Sequence, residues 1–137
     1  MSLRDATSKM SKSDPSDASR INLVDSSDQI FAKIKRAKTD LIPNISYDPA
    51  SRPDVSNLVN LYAEFSALSV DQVVESFENK DFVFFKRELS ELVISSLGPI
   101  RSEILALEAD KSHVTEVLRS GASEAREIAE SHMRQVK

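Results

Sequence analysis

The sequence has 137 residues, with 18 Lys and Arg, 22 Asp and Glu, two Gly, two His and no Cys, for a formal charge of −4. This length fits one domain with its own core, whereas a catalytic α/β fold usually needs more residues and more glycines. The composition excludes disulfides, zinc–thiolate sites, glycine-rich phosphate loops and, with no apolar run of roughly 20 residues, membrane helices, so it predicts a soluble, mostly helical protein.

The first 25 residues are polar and rich in Ser and Asp. They predict a loop segment with one short strand or turn at Ile21–Val24. The segment has no apolar stretch of the kind found in signal peptides. It is also not poor in acidic residues, as a transit peptide would be.

A helix is predicted to begin at Ser26, because Ser26 and Gln29 form the pattern of a capping box. Its apolar stripe contains Ile30, Ile34 and Ala37. Four basic residues flank that stripe, namely Lys33, Lys35, Arg36 and Lys38. Residues 39–53 contain three prolines and predict a long irregular loop.

Three further helices are predicted from apolar residues at helical spacing. The first begins at Pro53, the second follows a Ser69–Gln72 capping box, and the third opens at Asp81. The third helix is expected to continue through Gly98-Pro99, with a kink. The reason is that its apolar register passes the proline without a change of phase.

The last third predicts a short helix that ends at Gly121 and a final amphipathic helix. The residues expected on the buried face of that last helix are Ala125, Ile128, Ala129, His132 and Val136. The predicted fold is therefore all-α, with a loop segment over residues 1–25 and a helical bundle over residues 26–137.

One short motif carries chemistry, namely Lys9-Met10-Ser11-Lys12-Ser13. It places two ammonium groups three residues apart in a polar loop, with a hydroxyl between them. Lysine is a compact charge with rotatable donors, which suits phosphate oxygens that move during a reaction. The pattern alone leaves open a solvated surface loop without function.

This five-residue string resembles the second signature of class I aminoacyl-tRNA synthetases. Its surroundings resemble the tryptophanyl-tRNA synthetases of bacteria and mitochondria, and the resemblance extends over essentially the whole chain. It is carried by Ser2–Asp5, Asp14–Asp17, Arg20–Asp25, Ile34–Asp40, Tyr47–Pro49, Arg52-Pro53, Val55–Leu58, Gly98–Arg101 and Gly121–Arg126.

The resemblance implies ligation of tryptophan to tRNA(Trp), by way of tryptophanyl-adenylate formed from L-tryptophan and ATP. It implies that Lys12 is the main contact of the leaving pyrophosphate, that Lys9 assists, and that Met10, Ser11 and Ser13 complete the ATP-binding loop. Mg²⁺ would accompany the ATP phosphates, with no metal site of the chain's own. Residues 26–137 would bind the tRNA anticodon, and the full enzyme would be a homodimer without membrane attachment.

Two departures from the family pattern stand out. The family's first signature, a His-x-Gly-His-type element that binds ATP, is absent, because no His precedes His113. The sequence thus resembles only the C-terminal part of the enzyme, entering at the edge of a missing Rossmann domain, and we expect it to be inactive alone. Asp54 stands where the family often has Gly, which leaves the local turn open because Asp tolerates positive φ less well.

Other residues have both a functional and a structural interpretation. The basic residues of the first helix could face tRNA or the catalytic domain, or could be a solvated helix face. The same choice holds for four arginines that could contact anticodon phosphates, namely Arg101, Arg119, Arg126 and Arg134. Phe82, Phe84 and Phe85 could stack bases, but the first and third lie on the apolar stripe and are interpreted as core. His113 and His132 lack ligand spacing and are interpreted as structural.

Two functions stay open at this point. The first is the C-terminal region of a synthetase, with the pyrophosphate loop and the anticodon-binding helices. The second is a stand-alone helical module that binds tRNA or a protein without catalysis. The expected compartment is the mitochondrial matrix, with the bacterial cytoplasm as the alternative, because Val55–Asn57 and Val70–Val74 look more like mitochondrial forms.

Overall fold

The computed structural model describes residues 1–136, so Lys137, the last residue of the predicted helical bundle, lies outside the described residues. Five α-helices follow one another, with a short 3₁₀ turn, Asp17–Ser19, ahead of them. They are α1 (Ser27–Arg36), α2 (Pro53–Ser66), α3 (Val70–Ser76), α4 (Phe82–Ala109) and α5 (Lys111–Val136). Residues 1–136 contain no strand, which confirms the all-α prediction. None of these helices is both long and apolar enough to cross a membrane.

Three of the helices begin where the sequence predicts. The Ser26 hydroxyl accepts the Gln29 N–H at 3.3 Å, and the Gln29 side chain accepts the Ser26 N–H at 2.8 Å. The same reciprocal pair joins Ser69 and Gln72 at the start of α3. Pro53 occupies the first turn of α2, where its missing N–H costs nothing. These caps fix the phase of each helix and therefore the face that it buries.

The chain forms two compact units, Met1–Arg101 and Ser102–Lys137. The core of the first unit is built from the apolar faces of α1 to α4. Its fully buried apolar side chains are Ile34, Val55, Leu58, Val59, Val73, Phe85, Leu89 and Val93. Each contributes about 1.5–3 kcal/mol by leaving water. Phe77, which follows the last residue of α3, packs edge-on against Tyr62 at 5.0 Å and against Phe85 at 4.8 Å between ring centroids, so one aromatic cluster joins the end of α3 to α2 and α4.

Helix α4 continues through Pro99, as predicted. Its buried residues are Phe85, Leu89, Ser90 and Val93, all of them before the proline. An interior proline costs about 3 kcal/mol, and the packed first half of the helix supports the turn in which it lies. The proline therefore does not end the helix.

The second unit corrects two expectations. Gly121 lies inside α5 and has no positive φ, so it does not end a short helix. A mid-helix glycine costs only about 1 kcal/mol, which a helix of 26 residues tolerates. The face predicted to be buried is exposed: Ile128 is 62% and Val136 is 79% accessible, and none of the described α5 residues is buried. An amphipathic pattern specifies a face but not the surface that would cover it.

Candidate functional site

The Lys9–Ser13 motif forms an irregular loop that closes with a tight turn. The Asp14 N–H donates to the Ser11 carbonyl at 3.4 Å, which places Lys12 and Ser13 at the two central positions of the turn. The Ser11 and Ser13 hydroxyls are 2.9 Å apart and bond to each other. The turn therefore presents Lys12 at its tip, with two hydroxyls beside it.

The charged groups of the motif face solvent. Lys9 and Lys12 are exposed, and neither forms an ion pair with any described residue. Met10 is half-buried. Because an unpaired ammonium keeps its donors for a ligand, this loop can bind an anion without first breaking an internal bond.

Arg20 supports the loop from behind. Its Nη1 donates to the Asp14 carbonyl at 3.0 Å and to the Ser11 carbonyl at 3.4 Å, the two carbonyls at the ends of the turn. Its Nε donates to Asn22 at 3.2 Å, and its Nη2 pairs with Asp17 at 3.0 Å. One guanidinium thus joins the loop to the 3₁₀ turn that follows it.

Lys33 of α1 lies below that turn and pairs with two carboxylates. Its Nζ is 2.6 Å from Asp17 Oδ2 and 2.5 Å from Asp25 Oδ2. Burial alone would lower the pKa of Lys33, but hydrogen bonds to Asp17 and Asp25 outweigh burial and raise it. The Lys33 hydrogen bond, with that of Asn22, lowers the pKa of Asp17. The Asp17 carboxylate and the Lys33 ammonium therefore stay charged at neutral pH.

The residues before the motif are attached to the helices through the backbone. The Leu3 side chain is buried in the core, and its carbonyl accepts the Lys38 N–H at 2.9 Å. The Asn57 side chain donates to the Ser2 carbonyl at 3.3 Å. Asp54 accepts the Ala6 N–H at 2.9 Å and pairs with Lys38 Nζ at 2.9 Å. Residues 1–25 thus fold together with α1 and α2 within the first unit.

The Asp54 geometry answers the question raised by the family's glycine. Asp54 lies in the first turn of α2 with helical backbone, and no positive φ occurs there. An aspartate is favoured in a first turn because the helix dipole stabilises its charge. The position therefore needs no glycine, and the carboxylate fastens the N-terminal segment to α2.

The other candidate residues divide between core and solvent. Lys33 is buried and paired, so it is neither a solvated residue nor part of a tRNA-facing set; Lys35 and Arg36 are exposed. Phe85 is core, as predicted, and Phe82 and Phe84 are partly buried and pack against the core. One of the four candidate arginines differs from the other three. Arg101 donates to the Val24 carbonyl at 3.2 Å, whereas Arg119, Arg126 and Arg134 are exposed on α5. His113 and His132 are exposed as well.

Two further features bear on ligands. Within residues 1–136, no group of three or more His, Asp or Glu side chains is arranged to bind a metal ion. A cleft between residues 43–47 and 71–81 shares no lining residue with the Lys9–Ser13 loop and carries four carboxylates, from Asp71, Glu75, Glu78 and Asp81. That charge disfavours phosphate, so the exposed lysine loop is the better anion site.

Comparison with known proteins identifies the family. A sequence model described as tRNA synthetases class I (W and Y) matches residues 1–98, which include the loop and its whole support. The chain belongs to this class I synthetase family. It is 46% identical over its full length to the tryptophan–tRNA ligase of Rickettsia prowazekii, of which it spans 42%, and 46% identical over 139 aligned residues to that of Rhizobium meliloti, of which it spans 39%.

A solved synthetase structure resembles the fold. The tryptophanyl-tRNA synthetase from Mycoplasma pneumoniae matches 71% of the chain at 27% identity, with a TM-score of 0.65. The match covers 31% of that synthetase chain, so this sequence spans well under half the length of its relatives. The part of the family that it matches is the C-terminal part, as the absence of the first signature predicted.

The contacts that support the Lys9–Ser13 loop are not predicted by the sequence. Asp17 and Arg20 stand three residues apart, a spacing that hints at a local pair. Asp25 and Lys33 are eight residues apart on either side of a helix cap, a separation that carries no pairing signal. Only the position of α1 against the 3₁₀ turn brings them together.

Proposed function

We propose that this chain supplies the pyrophosphate-binding loop and the tRNA-binding helices of a tryptophan–tRNA ligase. Lys12 at the tip of the turn is the main contact of the pyrophosphate that leaves ATP, and Lys9 assists. Ser11, Ser13 and the half-buried Met10 shape the loop. The observation that carries this proposal is an exposed Lys9–Ser13 loop with unpaired lysines on an ordered base, in a chain of the class I family.

The chemistry follows from where charge develops. When the tryptophan carboxylate attacks the α-phosphorus of ATP, the α–β bridging oxygen leaves with the pyrophosphate and becomes more negative. A charge-assisted hydrogen bond from an ammonium is worth roughly 1.5–3 kcal/mol. If that bond strengthens as the charge grows, its energy lowers the barrier rather than tightening ground-state binding. Mg²⁺ on the phosphates would share that charge.

An exchange assay tests the loop. The chain replaces the matching C-terminal part of the Rickettsia prowazekii ligase, and tryptophan-dependent ATP–pyrophosphate exchange is measured. We expect the chimera to be active and the 137-residue chain alone to show no exchange. Lys12→Ala should lower the chimera's exchange rate by about 10- to 150-fold, the equivalent of one charged hydrogen bond, with the KM for tryptophan little changed.

Lys111→Ala is the matched control, because Lys111 is an exposed lysine at the first position of α5 and has no part in the loop. Its exchange rate should equal that of the unmodified chimera. An inactive chimera, exchange by the chain alone, or an unchanged rate in Lys12→Ala would overturn the assignment.

The helical remainder is proposed to bind the anticodon arm of tRNA(Trp). Exposed Arg119 and Arg126 on α5 offer guanidinium groups for phosphate contacts. Binding of the chain to tRNA(Trp) should weaken steeply as salt rises and should weaken again when the anticodon is changed. Binding that ignores the anticodon would instead favour non-specific attraction. The homodimer of the full enzyme and the mitochondrial matrix, with the bacterial cytoplasm as alternative, stay predictions.

A further inference from the structure

A continuous set of charged contacts runs from the middle of α1 to the Ser11–Asp14 turn. Lys33 pairs with Asp17, Asp17 pairs with Arg20, and Arg20 donates to the carbonyls of Ser11 and Asp14. No loop side chain takes part, because both loop contacts are made to backbone oxygens. The set therefore holds the shape of the turn while its side chains stay available.

The Asp17 carboxylate is the middle of this set and needs help to act there. Its side chain is 54% exposed, and an exposed carboxylate alone holds an arginine weakly. Here Lys33 and the Asn22 amide, at 2.9 Å, fix the carboxylate from two sides. Lys33 is itself fixed by buried Asp25. Because every member has a partner, the Asp17 oxygens have one arrangement in which to meet Arg20.

The charges of this set cancel. Lys33 and Arg20 bring two positive charges, and Asp17 and Asp25 bring two negative ones. The support therefore adds little net field at the loop, and the attraction for an anion comes from Lys9 and Lys12. Support and ligand binding are divided between different residues.

We propose that Arg20 is a positioning residue for the pyrophosphate loop, and that Lys33 acts through Asp17 to fix Arg20, so that the Ser11–Asp14 turn and α1 move as one piece. This role rests on the proposed function of the loop. Its structural half, that Arg20 and Lys33 order the turn, can be measured on the chain by itself.

The first measurement is ¹⁵N relaxation of the backbone amides of residues 11–14 in the 137-residue chain. Rigid backbone gives order parameters near ~0.85 and flexible backbone gives values below about 0.6. We expect the turn to be near the rigid value in the unmodified chain and to fall toward the flexible value in Arg20→Met. Arg4→Met is the control, because Arg4 donates to Ser16 at 3.0 Å and does not touch the turn.

Testing Lys33 requires a variant that does not leave a buried carboxylate without a cation. Lys33→Met alone would leave the buried Asp25 carboxylate with its hydrogen bonds from Asn22 but without a cation, which is strongly destabilising. Lys33→Met with Asp25→Asn removes both charges together. In this double variant the helix amides should keep their order parameters, while those of residues 11–14 fall as in Arg20→Met.

The second measurement is kinetic, in the chimera described above. Arg20→Met should lower the exchange kcat by about 10-fold, the equivalent of one mispositioned charged hydrogen bond, with the KM for tryptophan and the melting temperature little changed. Arg20→Lys should recover little, because one ammonium does not reproduce the fork of a guanidinium.

The outcomes separate the two ideas. Unchanged order parameters at residues 11–14 in both Arg20→Met and the double variant would overturn the positioning role, whatever the chimera does. If the Arg20→Met chimera has the same exchange rate as the unmodified chimera, the proposed effect of Arg20 on catalysis is wrong. An inactive unmodified chimera would overturn the proposed function, and the relaxation data would still decide whether Arg20 and Lys33 order the turn.

Discussion

Two irregular segments of this chain are each organised by one arginine, and the arginines work differently. Arg52 is buried and donates to Asp40, Asn44, Ser46 and the Ile42 carbonyl, all within the loop that precedes α2. Arg20 contacts only backbone carbonyls of its loop, and Lys9 and Lys12 in the Lys9–Ser13 motif form no ion pair with a described residue. The polar groups of the first loop are hydrogen-bonded within that loop, which makes it a structural element. The second leaves its two ammonium groups exposed to solvent.

The largest expected effect on stability comes from removing Arg52 from the loop that precedes α2. Arg52→Met should lower the free energy of unfolding by about 2–3 kcal/mol, since Asp40 loses a bidentate partner and the other acceptors lose theirs. Chemical denaturation of the chain measures this change. Arg87→Met, at an exposed arginine paired only on the α4 surface, should change stability far less. Equal losses would remove the distinction between the two arginines.

A smaller effect is expected where the N-terminal segment meets α2. Asp54→Ala removes the acceptor for the Ala6 N–H and the partner of Lys38, and it should cost about 1–2 kcal/mol. Asp54→Asn keeps an oxygen for the Ala6 N–H and should recover part of that loss. Denaturation curves for both variants check the order. If Asn were no better than Ala, the ion pair with Lys38 would be the important contact instead.

The stability that the Arg52–Asp40 pair contributes should also depend on pH. Arg52 lowers the pKa of Asp40 in the folded chain, so the pair stabilises the fold above the ordinary aspartate pKa of about 3.9. That contribution is lost as pH falls through the lowered folded pKa. The stability difference between the unmodified chain and Asp40→Asn should therefore be constant near neutrality and shrink below about pH 4. A difference that grew on acidification would contradict this sign.

The smallest effect on stability is expected at the Lys9–Ser13 loop. Lys12→Met should change the free energy of unfolding by less than about 0.5 kcal/mol, because the side chain is exposed and unpaired. Together with a large loss of exchange activity, this would show that Lys12 contributes to chemistry and not to folding. A clear loss of stability in Lys12→Met would mean that the loop is held by its lysines after all.

The sequence predicted the features that depend on local pattern. Both serine capping boxes, the start of α2 at Pro53 and the passage of α4 through Pro99 follow from spacing, propensity and phase. The motif at residues 9–13 was found by its residue types and their order. The sequence does not show that Lys33, unlike the basic residues next to it, forms buried ion pairs, because that depends on where α1 lies against the 3₁₀ turn. The burial predicted for α5 is wrong for the same reason, since an amphipathic pattern shows which face of a helix is apolar but not whether another element packs against it.

The burial of Lys33 has a consequence for the chemical reactivity of the chain. An acylating reagent attacks neutral, accessible amines, and Lys33 is both enclosed and held protonated, since the two carboxylates raise its pKa against the effect of burial. Lys9 and Lys12 are open to the reagent. Mass spectrometry after acetylation should therefore detect modified Lys9 and Lys12 and unmodified Lys33. The fraction of Lys33 that is acetylated would measure the fraction of molecules in which the Lys33 ion pairs have opened.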